Sequence, residues 1–208
     1  MSTQFLIHIQ DHFLTYWTAS LSLIIFDSVI RPRYTRLFKY PEMSLPNSWW
    51  KIISLVLFNQ ICVSIPTFYF FPDLSGKGSF SLLSLGVAVL LHEFFFYYIH
   101  RLIHTSYFYS RIHKIHHTWV VPIGVATFYA HPLEHLMGNV LPVILSGLLA
   151  NMNFTTMRIW HNLAVLNAVI VAHGGYRISQ SHKDHHRLFN INYGVLGILD
   201  RLHGTQLD

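Results

Sequence analysis

Between His92 and His117 the chain reads HEFFFYYIHRLIHTSYFYSRIHKIHH, a density of histidine that composition alone does not explain. His100 and His104 stand four apart, and His113, His116 and His117 stand at i, i+3 and i+4. On a helix both spacings stack side chains on one face, so each set can aim its imidazoles at a common point. The HxxHH pattern returns at His182, His185 and His186. With 16 histidines in 208 residues, chance would produce one HxxHH about 0.1 times, so two copies beside an HxxxH are a signal. Neutral imidazole is a common ligand for iron, zinc and copper. Without a metal, eight crowded imidazoles with an ordinary pKa of about 6.5 would repel as they charge, or lack partners if buried neutral. Eight ligands are too many for one four-coordinate zinc and suit two metals sharing a site. His8, His12, His92, His161 and His203, outside the clusters, are expected to be ordinary surface or hydrogen-bonded core residues.

The choice of metal follows from what surrounds the clusters. A zinc hydrolase needs a nearby carboxylate beside its ligands, and here the carboxylates are few: Glu93, Glu134 and Asp184. Iron with nitrogen ligands and open positions binds and activates oxygen, and a membrane offers lipid C–H bonds as substrate. A zinc-dependent membrane hydrolase or a metal transporter is the competing chemistry. A transporter is expected to carry ionisable residues midway along its helices, and the central turns of the apolar runs hold none. The chain has no reductant of its own: GKG at 76–78 lacks the strand–helix frame of a nucleotide site, and no haem module is attached. Electrons must arrive from a partner. His131 and Glu134, in HPLEH, either hydrogen-bond at the membrane surface or fix the tautomer of a ligand histidine.

What must position these residues is a membrane chain. Hydrophobic residues make up 52% and charged ones 11%, against roughly 25% charged in ordinary soluble domains. The net charge of +5 does not form a nucleic-acid face, because the basic residues gather beside apolar runs. Cys62, the only cysteine, excludes an internal disulfide and is expected to be a small buried core residue. No removable signal peptide is expected. Phe13 to Ile30, Ile52 to Phe71 (kinked at Pro66) and Phe80 to Ile99 are runs close to the ~20 residues that cross a bilayer. A basic, proline-broken loop from Arg31 to Lys51 and a tight turn at Pro72–Gly78 separate them. Val120 to His135 reads as a connector at the membrane surface, and Leu136–Ala150 with Ile159–Ala172 as a short helical hairpin. FNINYGVLGILDRLHGT (189–205) reads as a short interfacial helix, and Tyr97 and Tyr98 as interfacial aromatics. The expected fold is all-α, one domain over 1–208. It is an integral membrane helical bundle of about three spanning helices plus the hairpin, with a cytosolic-facing histidine-rich metal-binding cap. If the first loop is cytosolic, twelve basic residues fall on that side and only Lys77 and Arg158 on the other. That is a positive-inside bias, and it puts every histidine cluster at the cytosolic face.

HRLIH, HKIHH and HKDHH, followed by the 189–205 tail, resemble the three histidine boxes of the fatty acid hydroxylase / sterol desaturase superfamily. The likeness is greatest to the group of fatty acid hydroxylase domain-containing protein 2, through FYYIHRLIH, IHKIHHTW, YAHPLEH, HGGY and NYGVLGILDRLHGT. It covers nearly the whole chain from about Phe13. The resemblance implies a non-haem di-iron oxygenase of a sterol or fatty acyl lipid in the endoplasmic reticulum membrane. It implies two Fe ions, O2, and electrons from NAD(P)H through cytochrome b5 or its reductase. By box, the ligands it implies are His100 and His104; His113, His116 and His117; and His182, His185 and His186, with His173 of HGGY as a ninth. Two departures stand out: the His173–His182 segment is several residues shorter than in that family, and the sequence ends soon after DRLHGT. They leave a catalytically impaired, regulatory or interacting membrane protein as the alternative.

Overall fold

The computed structural model describes residues 3–30, 33–34, 48–70, 80–121, 123–174 and 180–207. Within them there is no strand. Helix α1 is Thr3–Val29, α2 Trp49–Tyr69 and α3 Leu82–Ile103. A short α4 (Ser106–Arg111) leads into a 3-10 turn at His113–Thr118. Helix α5 is Pro132–Leu149, and α6 (Phe154–Leu166) continues as a wider π-helical segment through Asn167–Ala172. Helices α7 (Gln180–Leu188) and α8 (Ile198–His203) close the chain. Most of the basic loop, the Pro72–Gly78 turn and the middle of the His173–His182 connection lie outside the described residues.

Among the described residues three helices are long and apolar enough to cross a membrane, as many as expected, and two of them are expected runs while the third replaces the first run. They are α2, α3 and α5. The first apolar run does form a helix, α1, yet Asp11, His12, Thr15, Thr18, Ser20 and Ser22 dilute its hydropathy. The first leg of the expected hairpin gains length because its helix begins at Pro132, upstream of Leu136. Proline suits that position, since its missing N–H would be unpaired there anyway. Pro66 does not break α2; a π-helical turn at Gln60–Ser64 precedes it and takes up the hydrogen bond that proline cannot make.

The bundle pairs α3 with α5 and α1 with α6. Tyr16 and Ala19 of α1, Ile52 and Val56 of α2, and Val165 and Val169 of α6 share one core with the connector residues Ile123, Val125, Ala126 and Phe128. A second core joins Ala88 of α3 to Val143, Met157 and Trp160. At one end Arg158 donates to Asp11 twice, Nε to Oδ2 at 2.7 Å and Nη2 to Oδ1 at 3.1 Å, tying the start of α6 to α1.

The connector corrects an expectation. It runs through the interior and not over a surface, with Ile123, Val125, Ala126, Phe128 and Ala130 all buried. Non-helical backbone is tolerated at such depth only where protein satisfies its polar groups. Two side chains do so. The Tyr16 hydroxyl donates to the Val125 carbonyl at 2.7 Å, and Asn59 Nδ2 donates to the carbonyls of Phe128 and Ala130, each at 2.9 Å. Cys62 also departs from expectation and is exposed on the outer face of α2.

Candidate metal centre

Helix α3 ends at the first histidine pair: His100 sits on its last turn and His104 is its C-cap. The second set lies on the 3-10 turn, whose geometry is non-helical at His117 (φ −77°, ψ 19°). The third lies on α7, and His173 follows the π-helical end of α6. These elements bring all nine expected residues together, in two groups. One comprises His100, His104, His113, His117 and His185; the other comprises His116, His173, His182 and His186. Within each group the candidate ligand atoms lie within 4.8 Å of one another.

The grouping differs from the simple expectation that each motif points at one place. In both HxxHH motifs the i and i+4 histidines go to one group and the i+3 histidine to the other. His113 and His117 join the first group while His116 joins the second; His182 and His186 join the second while His185 joins the first. The two motifs are therefore exchanged across the centre. Each supplies both groups.

Bond geometry fits metal ions in both places. With metal–nitrogen bonds of about 2.1 Å, two ligands at right angles have nitrogens about 3.0 Å apart, and at the tetrahedral angle about 3.4 Å. The Nε2 atoms of His113 and His117 are 3.0 Å apart, those of His182 and His186 3.1 Å, and those of His116 and His173 3.4 Å. The opposite ring nitrogens are tied down. His100 Nδ1 donates to the Tyr193 carbonyl (2.7 Å), His113 Nδ1 to Glu134 Oε1 (2.7 Å) and His173 Nδ1 to the Ala168 carbonyl (2.6 Å). His185 Nδ1 donates to the Ile191 carbonyl (2.6 Å) and His186 Nδ1 to the Trp119 carbonyl (3.2 Å). A proton held at Nδ1 leaves a lone pair at Nε2, so five rings are held in the tautomer that can ligate a metal. The Nε2 atoms of His104 and His185 are buried with no protein partner, which a metal would supply.

Electrostatics agree. Burial first, then the neighbouring imidazoles, holds His113, His116, His182, His185 and His186 well below the ordinary histidine range. Burial is also the main cause that pushes His117 down to about 3. These rings are neutral at neutral pH, the form that binds metal.

The tail that orients His100 and His185 is held by two acids the sequence did not single out for this purpose. Glu93, buried on α3, accepts the N–H groups of Val195 (2.7 Å), Leu196 (2.8 Å) and Leu199 (3.3 Å). Asp200 accepts those of Tyr193 (2.8 Å) and Gly194 (2.7 Å) and the Thr205 hydroxyl (2.8 Å). Gly194 passes between them; a Cβ there would come within 2.6 Å of Glu93 Oε1 and 2.9 Å of Asp200 Oδ2. Segment 189–197 is thus a clasp on the centre, and only Ile198–His203 is helical. A carboxylate inside an apolar helix is expensive to bury, and that was the signal for Glu93. Phe189, with φ of 67°, holds a backbone conformation unfavourable for a bulky residue. Its ring lies 5.1 Å from that of His117, at the edge of the first group.

Of the two HPLEH residues, Glu134 orients His113, whereas His131 accepts the Leu133 N–H and caps α5. Tyr97 is fully buried, its hydroxyl bonded to Thr205 and Arg101, and is not an interfacial aromatic; Tyr98, partly exposed, bonds His203. Replacing Glu134 by Ala is expected to weaken the first metal about 10–100-fold, with Glu134→Gln intermediate because its amide oxygen can still accept. Metal titration of the purified variants measures this.

The residues that carry this geometry are also those a family model recognises: the model described as fatty acid hydroxylase matches residues 85–205. The chain belongs to the fatty acid hydroxylase family. It is 37% identical to fatty acid hydroxylase domain-containing protein 2 of Macaca fascicularis and 36% identical to that of Homo sapiens, each over 95% of this chain. It spans 65% of the length of either relative. It is 27% identical to the C-4 methylsterol oxidase of Schizosaccharomyces pombe, over 88% of this chain and 69% of that protein. No solved structure matches it. As a family member with three apolar spans and buried histidine clusters, it is a membrane protein related to lipid-oxidising enzymes.

Proposed function

We propose that this chain is an O2-dependent non-haem di-iron oxidoreductase acting on a C–H bond of a membrane lipid, sterol or fatty acyl. The observation that supports it most is the pair of buried imidazole groups, His100, His104, His113, His117 and His185 beside His116, His173, His182 and His186, with nitrogens spaced as ligands of one metal each. Bound iron would supply oxygen activation, for which nitrogen-ligated iron with open positions is suited. The chain's own residues do the rest. Glu134 and the carbonyls of Tyr193, Ile191, Ala168 and Trp119 fix ring tautomers. The α3–tail clasp and Phe189 border the centre and limit water. Relatives named as methylsterol oxidases and fatty acid hydroxylases are consistent with such a substrate.

Electrons would come from NAD(P)H through cytochrome b5 or its reductase. Arg101, Lys114 and Arg187 are exposed on the elements that carry the histidines and Arg111 at the end of α4 beside them, a basic rim that would meet an acidic donor. In this reading the membrane is that of the endoplasmic reticulum, with the boxes cytosolic. Cysteines placed at the exposed Ser110 and Ser181, in a background lacking Cys62, are expected to label from the cytosolic side of sealed microsomes. Labelling only after permeabilisation would reverse the topology. The activity itself is tested in iron-loaded nanodiscs with NAD(P)H, reductase and cytochrome b5, following 18O2 into sterol and fatty acyl lipids. Label in a lipid product supports the reading. Zinc as the only metal of the native protein, with no labelled product, defeats it.

A further inference from the structure

Beneath the metal centre, towards the bundle interior, lies a cavity of about 80 Å³. That is several times the space one water needs, and about half that of a cavity known to admit benzene. Its wall adjoins both metal groups. Phe96 lines it with its ring tilted against that of His100, centroids 5.0 Å apart, and Ala168 lines it while its carbonyl takes the His173 proton. Phe68, Phe128, Val143 and Met157 make much of the remaining surface apolar.

The polar side of this cavity is unusual. His12, His135 and His161, from α1, α5 and α6, all line it and are 2%, 0% and 7% exposed. His12 Nδ1 and His161 Nε2 share one hydrogen bond of 3.2 Å. His12 Nε2 and His161 Nδ1, the other ends of the two rings, are buried with no protein partner. Whichever ring donates, the pair is left with one unpaired donor and one unpaired acceptor. His135 Nε2 bonds the Ser64 hydroxyl at 2.9 Å, and its Nδ1 is likewise buried without a partner. Buried polar atoms left unpaired cost roughly 1–3 kcal/mol each, so such a cluster calls for something that donates and accepts. Among the described residues no lysine, arginine, aspartate or glutamate lines the cavity. A carboxylate or phosphate headgroup would find no countercharge there.

We propose that this cavity holds a neutral hydroxyl of the lipid substrate, with His12 and His161 as its hydrogen-bonding pair and His135 beside them, so that the chain selects hydroxylated lipids. The hydroxyl anchors the substrate from the membrane side, and the apolar wall at Phe96 brings an adjoining part of the lipid towards the metals. The proposal rests on the lipid-oxidation reading and names the feature of the substrate that it recognises. The hydroxyl can belong to a sterol ring or to a long-chain alcohol, which the test separates.

Metal-loaded protein in nanodiscs is titrated with cholesterol against cholestane, and with hexadecanol against hexadecane. One hydroxylated member is expected to bind at least about tenfold tighter than its deoxy partner, since a site built to bond a hydroxyl penalises the analogue lacking it. The pair that shows the preference identifies the lipid class. In His161→Leu that preference is expected to fall towards unity with two metals still bound, and His161→Gln, which keeps a donor and an acceptor, is expected to restore much of it. Equal binding of hydroxylated and deoxy lipids by the parent protein overturns the proposal and assigns these nitrogens to buried water. A preference that survives in His161→Leu overturns it too, and should that variant fail to fold, the parent and the Gln variant decide. Hydroxyl-dependent binding without any 18O-labelled product would sink the oxidation reading and leave the binding site standing.

Discussion

If the parent protein holds two metals as proposed, replacing His100 and His104 together by alanine is expected to leave one, and replacing His182 and His186 together is expected to do the same. Each double change removes one i, i+4 pair from one group and leaves the histidines of the other group in place. The affinity lost at the damaged group should exceed the roughly 10–100-fold that follows from removing a partner outside the ligand set. Oxidation should cease in both variants, because each removes half of a two-metal centre. The decisive comparison is His116→Ala. His116 adjoins His117 in sequence but lies with His173, His182 and His186, its Nε2 3.4 Å from that of His173. Its loss should therefore weaken the same metal as the His182/His186 change, and spare the one beside His117. Metal stoichiometry by elemental analysis, with competition by a chelator to rank the two affinities, reads this directly. Parent protein with one metal per chain, or a His116 variant that weakens the metal beside His117, would refute the two-group assignment.

The second large effect is expected from Glu93, a residue outside the ligand set. Changing it to Ala leaves three N–H groups, those of Val195, Leu196 and Leu199, without their acceptor. Hydrogen bonds to a charged group are worth about 1.5–3 kcal/mol each, and unpaired buried donors cost a similar amount. The tail that carries the Ile191 and Tyr193 carbonyls should loosen, and His185 and His100 should lose the partners that hold their rings. Both belong to the five-histidine group, so that metal should weaken about 10–100-fold while the four-histidine group changes little. Glu93→Gln, with one accepting oxygen, should fall between. Gly194→Ala offers an independent route to the same result, because its Cβ would press on Glu93 and Asp200. Equal loss of both metals would mean that Glu93 supports the bundle as a whole and not the clasp.

The histidine clusters were legible from residue types and spacing alone, because imidazoles three and four apart are recognisable in any fold. The nine residues named from HRLIH, HKIHH, HGGY and HKDHH are the nine that the structure gathers. So was the all-helical membrane character, since apolar runs with few charges have few alternatives. Less was legible where apolar composition is common to lipid-facing and interior surfaces. Cys62 reads as core and is exposed, Tyr97 reads as interfacial and is buried, and the 123–130 connector is as apolar as a helix yet non-helical and interior. His12 and His161 read as ordinary and His135 was not singled out, because the three stand on different helices and only packing brings them to one cavity.

What the sequence by itself determined is which histidines gather, a helical fold and a membrane setting, each carried by local pattern. Only the tertiary structure decided how those histidines divide into two groups. On helix α7 the helical repeat holds His182 and His186 together, whereas His113 and His117 pair on a 3-10 turn whose repeat alone would not align them, and where each i+3 ring goes depends on the element facing it. Here the 3-10 turn at His113–Thr118 and helix α7 face one another and exchange that ring, His185 for His116. Of the groups that orient the rings, the Ala168 and Ile191 carbonyls lie only 5 and 6 residues from their histidines, but Glu134, the Trp119 carbonyl and the Tyr193 carbonyl lie 21, 67 and 93 away. No local pattern encodes such a pairing, because it exists only once the tail has folded back onto α3.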